Sequence, residues 1–238
     1  MGIRLTSAFI FDFDGTLVDS EQAIYQCFQS ITKQLAPERI DYAKNILIGP
    51  PLRDTASEIL GPDHQNSLDE FVQLFIAMHD EQVIQHTQPY PDVIQVLKQL
   101  HNKNIPMAVA TNKRLAPAQK LMDHFGWNDY FSFIECSDSK IEIRNKDAMI
   151  KDIMNQNESF YESFFVGDTV NDGLSASLNQ LPFIKACYGY GRDQDWSKVT
   201  TYKEIHQFIE IFNLFKPSPH GNQIQKDTKK TLWLREES

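Results

Sequence analysis

Short apolar runs alternate with helical patterns along most of this chain. The run Ser7–Phe13 (SAFIFDF) is mostly apolar, ends in acids and predicts a buried strand. Further strands are predicted at Ile105–Thr111, Tyr130–Cys136, Phe164–Asp168 and Pro182–Tyr188. The residues between these runs repeat apolar side chains at helical spacing. Strands separated by helices form βαβ units, so the sequence predicts an α/β fold with a parallel sheet covered on both faces.

Residues 18–87 interrupt this alternation with helical patterns alone. The predicted helices there begin after Ser20, cover Leu52–Leu60 and cover Leu68–Val83. Because the interruption directly follows the first strand, we interpret residues 18–87 as an inserted helical domain. Residues 1–17 and 88–212 would then form the α/β core.

Polar side chains at helix starts indicate where several helices begin. Ser20 is a predicted N-cap, and Ser67-x-x-Glu70 has the spacing of a capping box. Thr201-x-x-Glu204 has the same spacing and predicts a final helix that buries Phe208. Residues 213–238 have turn and linker composition, which predicts a loose C-terminal tail.

Composition argues against several classes of protein. With 32 acidic and 23 basic residues the formal net charge is −9, so a nucleic-acid-binding face is not expected. No apolar run approaches the roughly 18 residues of a membrane span, and no signal peptide is recognised. The three cysteines are far apart, which favours reduced thiols. We therefore expect a cytoplasmic protein with neither nucleic-acid nor membrane partners.

Polar and acidic side chains follow three of the predicted strands. They lie in Asp12-Phe13-Asp14-Gly15-Thr16, in Thr111-Asn112-Lys113 and in Gly167-Asp168-Thr169-Val170-Asn171-Asp172. The carboxyl ends of parallel strands meet at one edge of a sheet, where sites form. Four carboxylates brought together there are costly unless a cation neutralises them. Oxygen ligands with few His or Cys nearby favour a hard cation, Mg²⁺ above all.

Each motif alone is weak, and other familiar sites are missing from the sequence. Gly15 comes too early for a calcium loop, and neither a GxxxxGK[ST] nor a GxSxG motif occurs. Gly189-Tyr190-Gly191 lacks the third glycine of a dinucleotide fingerprint. We expect instead a loop in which glycine supplies a positive φ.

Together the motifs resemble those of the haloacid dehalogenase-like superfamily. In order they are Asp12-Phe13-Asp14-Gly15-Thr16-Leu17, Thr111-Asn112, Lys146 and Gly167-Asp168-Thr169-Val170-Asn171-Asp172. The resemblance covers residues 1 to about 212 and implies a Rossmann-like core, with residues 18–87 as a helical cap. Further segments resemble the phosphoglycolate phosphatase branch, namely Ile48-Gly49-Pro50-Pro51-Leu52-Arg53, Pro89-Tyr90-Pro91-Asp92-Val93 and Gly189-Tyr190-Gly191.

The resemblance implies Mg²⁺-dependent hydrolysis of a small phosphorylated metabolite. Asp12 would be the nucleophile that becomes an aspartyl-phosphate, and Asp14 the general acid and base. Mg²⁺ would be held by the carboxylates of Asp12 and Asp168 and by Asp14 through its backbone carbonyl. Asp172 would support the metal from a second layer or through water.

The resemblance also implies residues that bind substrate. Thr111 and Lys146 would bind the transferring phosphoryl oxygens, with Thr16 and Asn112 beside them. Arg53 would help choose the substrate, since Arg suits a carboxylate or a second phosphate. Lys146 is followed by Asp147 where the family often has proline, so its assignment rests on position. The competing lysines are Lys113, Lys140 and Lys151.

Two departures from the family pattern affect loops. Asn179-Gln180 stands where a small residue and glycine are common, which puts one loop conformation in doubt. Pro91-Asp92 replaces a common Pro-Gly where the insert ends, so hinge flexibility there is in doubt as well.

Alternative functions stay open at this point. A phosphotransferase of the β-phosphoglucomutase type is disfavoured because the run Gly49-Pro50-Pro51-Leu52-Arg53 lacks that group's Gly-x-Ser-Arg motif. Dehalogenation is disfavoured by the presence of Asp14. A non-catalytic binding protein on the same scaffold is a third class. The sequence does not name the phosphorylated substrate, and it allows a monomer or a homodimer.

Overall fold

A computed structural model describes residues 8–140 and 144–215. The strands in these residues are β1 (Phe9–Phe11), β2 (Val18–Asp19), β3 (Gln88–Pro89), β4 (Met107–Thr111), β5 (Phe133–Cys136), β6 (Phe164–Gly167), β7 (Phe183–Ala186) and β8 (Lys203–Ile205). Six of them form one sheet in the order β5-β4-β1-β6-β7-β8, in which every neighbouring pair is parallel. The predicted α/β fold with a Rossmann-like parallel sheet is therefore confirmed.

The strand β1 lies in the middle of this sheet, between β4 and β6. Phe9 pairs with Met107 on one side and with Phe164 on the other. All three residues of β1 are fully buried, because helices cover both faces of the sheet. The order places the carboxyl ends of β1, β4 and β6 side by side. Three separate segments of the chain therefore meet at one edge.

Helices cover the sheet and form the segment that follows β2. The α-helices are α1 (Glu21–Leu35), α2 (Ile40–Ala43), α3 (Leu52–Leu60), α4 (Leu68–Gln82), α5 (Val93–Asn102), α6 (Leu115–Phe125), α7 (Lys146–Gln156) and α8 (Val170–Leu178). The 3₁₀ helices are Pro37–Arg39, Pro62–Ser67, Asn128–Tyr130, Glu158–Glu162, Tyr190–Asp193, Trp196–Lys198 and Phe208–Phe215. Within the described ranges, none of these helices is long and apolar enough to cross a membrane.

Helices α1 to α4 pack around a hydrophobic cluster of their own. Phe28 of α1 contacts Phe71 and Phe75 of α4, with ring centroids 6.2 and 5.0 Å apart. The strands β2 and β3 connect this segment to the core at its two ends. They pair with each other in antiparallel fashion, with Val18 opposite Pro89. The expectation that residues 18–87 contain no strand is therefore wrong at Val18–Asp19. These helices therefore share a hydrophobic cluster that is distinct from the clusters on the sheet.

The predicted final helix is wrong at its start. Lys203–Ile205 is the strand β8, and Ile205 pairs with Ala186 of β7 and is fully buried. The edge of β7 offers these residues backbone hydrogen bonds and burial, which outweigh a local capping box. A helix follows only at Phe208–Phe215, and it is of the 3₁₀ type.

The other predicted caps and the predicted tail also differ from the structure. The side chains of Ser20 and Ser67 make no capping hydrogen bond to the helices α1 and α4. Residues 213–215 belong to the last 3₁₀ helix, and Leu214 is buried. The remainder of the predicted tail, residues 216–238, lies outside the described residues.

Both loops that depart from the family pattern keep a left-handed backbone. Asp92 has a φ of 68° and Gln180 a φ of 58°. These are the positions where glycine was expected from the resemblance, and a non-glycine residue adopts this conformation at a cost. Gln180, not a glycine, therefore forms the left-handed turn after α8.

Candidate active site

Buried polar side chains meet where β1, β4 and β6 end. Asp12 follows β1, Thr111 ends β4 and Asp168 follows β6, while Lys146 begins α7. Each of these residues is at most 5% exposed. Burial of so many polar groups is costly unless they are paired with one another or with a ligand. The strand order thus brings together residues that are far apart in sequence.

Three carboxylates form the centre of this site. Oxygens of Asp12, Asp168 and Asp172 lie within 4.8 Å of one another, and all three residues are buried. Burial raises the pKa of Asp12 to about 7, although Lys146 opposes this shift. Burial, followed by the charges of Asp172 and Asp12, raises the pKa of Asp168 well above its usual range. A hard divalent cation fits this set, because it would neutralise crowded oxygen ligands.

Lys146 is the lysine that faces the carboxylates. Its Nζ lies 2.8 Å from Oδ1 of Asp12 and donates a short hydrogen bond to Oδ1 of Asp172. Burial lowers the pKa of Lys146, but the two carboxylates raise it by more, so the lysine stays charged. Of the competing lysines, Lys140 is exposed and pairs with Asp152.

Asp172 is held in one orientation by the start of α8. Its Oδ2 accepts hydrogen bonds from the backbone N–H groups of Asp168 and Thr169 and from the Thr169 hydroxyl. Thr169 and Asp172 thereby form a capping box at the start of α8. Oδ1 of Asp172 is left to Lys146. This arrangement agrees with a supporting position for Asp172 behind Asp12 and Asp168.

Asp14 is oriented by two residues whose contacts the sequence did not reveal. Its Oδ1 accepts hydrogen bonds from the Ser20 hydroxyl at 2.6 Å and from Lys113 Nζ at 3.0 Å. The Ser20 hydroxyl therefore orients Asp14 instead of capping α1. The hydroxyl of Tyr190 accepts the backbone N–H of Ser20 at 2.8 Å. Lys113 directly follows Thr111-Asn112, and Tyr190 lies in the Gly189-Tyr190-Gly191 segment, but neither pattern indicates contact with Asp14 or Ser20.

The loop Gly189-Tyr190-Gly191 packs directly against Asp168. The expectation of a positive φ is wrong, since φ is −80° at Gly189 and −78° at Gly191. The reason for glycine is space, because an added Cβ on Gly191 would lie 2.1 Å from the Asp168 carbonyl oxygen. The backbone N–H of Tyr190 donates to Oδ2 of Asp168 at 2.7 Å. The close approach of this loop thus fixes one oxygen of Asp168.

A cavity of about 100 Å³ opens between the carboxylate centre and the helical segment. Its core wall is polar and its opposite wall is mostly apolar. The polar wall includes Asp12, Asp14, Thr111, Asn112, Lys113 and Lys146, and the apolar wall includes Ile24, Phe28, Ile48, Leu52 and Phe75. A ligand there would place charged groups on the core and carbon atoms on the helices.

Three polar contacts join the helical segment to the core beside the cavity. Asn112 donates to the backbone carbonyl of Gly49 at 2.8 Å. Arg114, which follows β4, donates to both oxygens of Asp80 on α4 at 3.0 and 3.1 Å. Lys120 of α6 also donates to the Asp80 carbonyl at 2.9 Å. These contacts hold the apolar wall over the carboxylates.

Two predicted substrate-binding residues do not line the cavity. Thr16 is fully buried, and its hydroxyl donates to Oδ1 of Asp168 at 3.1 Å, so it orients a carboxylate. Arg53 is half exposed and pairs with Asp69 at 2.7 Å. Its helix α3 contributes Leu52 to the cavity instead, because the arginine lies on the solvent side of that helix. A contact of Arg53 with substrate therefore stays a prediction, because the structure places this side chain against Asp69.

The fold and the carboxylate centre define an enzyme-like site at the edge of a parallel sheet, and comparison with known proteins identifies its family. The family description for haloacid dehalogenase-like hydrolases matches residues 9–186, so the chain belongs to this family of hydrolases. The resemblance seen in the sequence and the expectation of a hydrolase are thereby confirmed.

Individual relatives show which hydrolases the chain is similar to. The chain is 26% identical to a phosphoglycolate phosphatase of Psychrobacter arcticus over 227 residues, covering 90% of this chain and 97% of that protein. It is 28% identical to a phosphoglycolate phosphatase of Rhodobacter capsulatus, covering 78% and 86%. A solved structure described as a predicted phosphoglycolate phosphatase from Haemophilus somnus has a TM-score of 0.78 at 21% identity, covering 90% and 100%. The last likeness shows a shared fold.

Proposed function

We propose that this protein is a Mg²⁺-dependent phosphatase that hydrolyses a small phosphorylated metabolite through an aspartyl-phosphate on Asp12. The observation that carries the proposal is the contact of Lys146 with Asp12 inside a buried group of carboxylates. A cation on one side and a lysine on the other would allow a phosphate dianion to approach an aspartate. The phosphatase names of the relatives support the same reaction.

In the first step an oxygen of Asp12 would attack phosphorus, and the bond from phosphorus to the ester oxygen would break. Lys146 and Thr111, which both line the cavity, would bind the phosphoryl oxygens. Asp14 would deliver a proton to the departing alkoxide. In the second step Asp14 would take a proton from water, whose oxygen attacks phosphorus and releases phosphate and free Asp12.

The carboxylates of Asp12 and Asp168 would hold Mg²⁺ together with the backbone carbonyl of Asp14. Bound there, Mg²⁺ supplies positive charge that offsets the repulsion between the carboxylates and the phosphate. Thr16 and the backbone of Tyr190 keep the oxygens of Asp168 in place, and Asp172 keeps Lys146 beside Asp12. These residues would preorganise the site before substrate arrives.

Residues 18–87 would act as the cap that closes over this site. Their apolar wall lies across the cavity from the carboxylates, and Asp80 and Gly49 fasten the segment to the core. Closure would exclude bulk water from the aspartyl-phosphate. The three cysteines are free thiols, which agrees with a protein of the cytoplasm acting on soluble metabolites.

Phosphate release from p-nitrophenyl phosphate and from a panel of phosphorylated metabolites tests this proposal. We expect turnover with MgCl₂ and none with EDTA. Lys146→Met should lower kcat by about 100- to 1000-fold, the scale of losing one charged stabilising group. Lys140→Met is the matched control, because Lys140 is exposed and pairs with Asp152 instead. Absence of phosphate release from every ester, or equal activity of both variants, would overturn the proposal.

A further inference from the structure

His79 of α4 is a buried, titratable side chain of the cavity wall that the proposed mechanism leaves unused. The residue is only 5% exposed, lines the cavity and stacks on Phe75 with a centroid separation of 5.2 Å. Its Nε2 is buried and has no hydrogen-bond partner in the described part of the chain. An unpaired polar atom in such a place costs about 1–3 kcal/mol unless a ligand satisfies it.

The neighbours of His79 determine which hydrogen bond it can make. Asp80 stays ionised, because its contacts with His79 and Arg114 lower its pKa by more than partial burial raises it. Nδ1 of His79 faces this carboxylate, 3.7 Å from its Oδ1. Burial and then the charge of Lys113 lower the pKa of His79, with Asp80 and Asp14 opposing them, so the imidazole is neutral at neutral pH.

A neutral imidazole carries a single N–H, and the ionised Asp80 attracts it to Nδ1. Nε2 is then left with a lone pair and can only accept a hydrogen bond. Lys113 lines the same cavity, and its Nζ donates hydrogen bonds to both oxygens of Asp14. Its ammonium group can donate one more hydrogen bond to a ligand. Among the oxygen groups of an ionised phosphate ester, a hydroxyl can accept a hydrogen bond from Lys113 and donate one to His79, whereas a carboxylate or an ether oxygen cannot donate.

We propose that His79 is a specificity-determining residue whose Nε2 accepts a hydrogen bond from a hydroxyl group on the leaving alcohol. The preferred substrate is then a phosphomonoester of a polyol or another hydroxylated alcohol, with its carbon atoms on the apolar wall formed with Phe75. A carboxylate in that place would meet a lone pair and could not donate. This inference rests on the proposed phosphatase reaction and names the substrate class of the same site.

Matched esters test the proposal. We would compare propyl phosphate, glycerol 1-phosphate and 2-phosphoglycolate as substrates of the wild type, His79→Leu and His79→Gln. On glycerol 1-phosphate, His79→Leu should lower kcat/KM by about 10- to 100-fold, mainly through KM. His79→Gln should stay within about fivefold, because its amide oxygen can accept the same bond. On propyl phosphate both variants should stay within about threefold of the wild type.

His86→Leu is the matched control, because this histidine is exposed just beyond α4 and does not line the cavity. Equal losses on all three esters, or a loss concentrated on 2-phosphoglycolate, would overturn the assignment of a hydroxyl. A wild type that releases phosphate from none of these esters, nor from p-nitrophenyl phosphate, would instead refute the proposed function itself.

The tautomer of His79 provides a second measurement that needs no turnover. Nitrogen-15 NMR of the labelled wild-type protein, with His79→Gln to assign the signals, distinguishes a protonated from an unprotonated ring nitrogen. We expect Nδ1 to carry the proton and Nε2 to be unprotonated at pH 7.5. A proton on Nε2 would make this atom a donor and would overturn the inference.

Discussion

Replacing Asp12 with Asn should abolish turnover and, in the metal-free protein, increase stability. Asn keeps the shape of the side chain and can still accept a hydrogen bond from Lys146, which lies 2.8 Å from Oδ1 in the wild type. It cannot form the aspartyl-phosphate, because an amide is a poor nucleophile and bears no charge. The stability effect follows from the burial of the carboxylate, whose pKa is raised from 3.8 to about 7.

The sign and size of this effect follow from proton linkage. The folded state binds the proton of Asp12 more tightly than the unfolded chain, so wild-type stability falls as pH rises from about 4 to about 7. Each pH unit in that window costs about 1.4 kcal/mol. Asn does not titrate. We therefore expect the stability advantage of Asp12→Asn to widen by about 3 kcal/mol between pH 5 and pH 8.

Urea unfolding followed by circular dichroism in EDTA measures this difference at the two pH values. Asp129→Asn is the control, because Asp129 is exposed. Added Mg²⁺ should stabilise the wild type more than the Asn variant, since ligands that bind the folded state stabilise it. A stability difference that does not change with pH, or a wild type more stable than the variant at pH 8 in EDTA, would refute the reasoning. Phosphatase activity retained by Asp12→Asn, once deamidation is excluded, would refute the nucleophile.

Three further perturbations probe other parts of the site. Excess Ca²⁺ should inhibit turnover that Mg²⁺ supports, because the larger ion can take both oxygens of Asp12 and leave none to attack; equal rates with both ions would contradict this. Asp80→Ala removes the ion pair with Arg114, so we expect KM to rise about three- to tenfold and amide hydrogen exchange in α4 to become faster. Unchanged exchange would show that this ion pair does not hold the helical segment against the core. Gly191→Ala should lower the free energy of unfolding in urea by about 3 kcal/mol or more, because its Cβ would lie 2.1 Å from the Asp168 carbonyl oxygen. A variant as stable as the wild type would contradict that packing.

Most of the core architecture could be predicted because its information is local. Apolar runs such as Phe9–Phe11 and Met107–Thr111 are buried on both faces, and their helical neighbours have one apolar face. The end of the sheet was less predictable. Lys203–Ile205 looks like a helix start by its capping residues, but the free edge of β7 stabilises it as a strand. Pairing between strands depends on what lies alongside, which a local pattern does not contain.

The carboxylate centre was predicted as a set of residue types at strand ends. Its geometry depends on the strand order, which places β1 between β4 and β6. The order also separates residues that look alike in the sequence. Lys146 is buried against Asp12, whereas Lys140 is exposed. Arg53 likewise looked suited to substrate, but its helix turns it toward Asp69 and solvent.

The sequence by itself determined the α/β class, the family and the acids that could bind a metal, because these follow from hydrophobic periodicity and from short motifs. Only the tertiary structure decided that Ser20 and Lys113 orient Asp14 and that an unpaired nitrogen of His79 faces the same cavity. Serine, lysine and histidine occur in many environments, and their chemistry depends on burial and on the charges nearby. Some of those neighbours come from distant parts of the chain, as Lys113 does for Asp14, so the contacts exist only once the chain has folded.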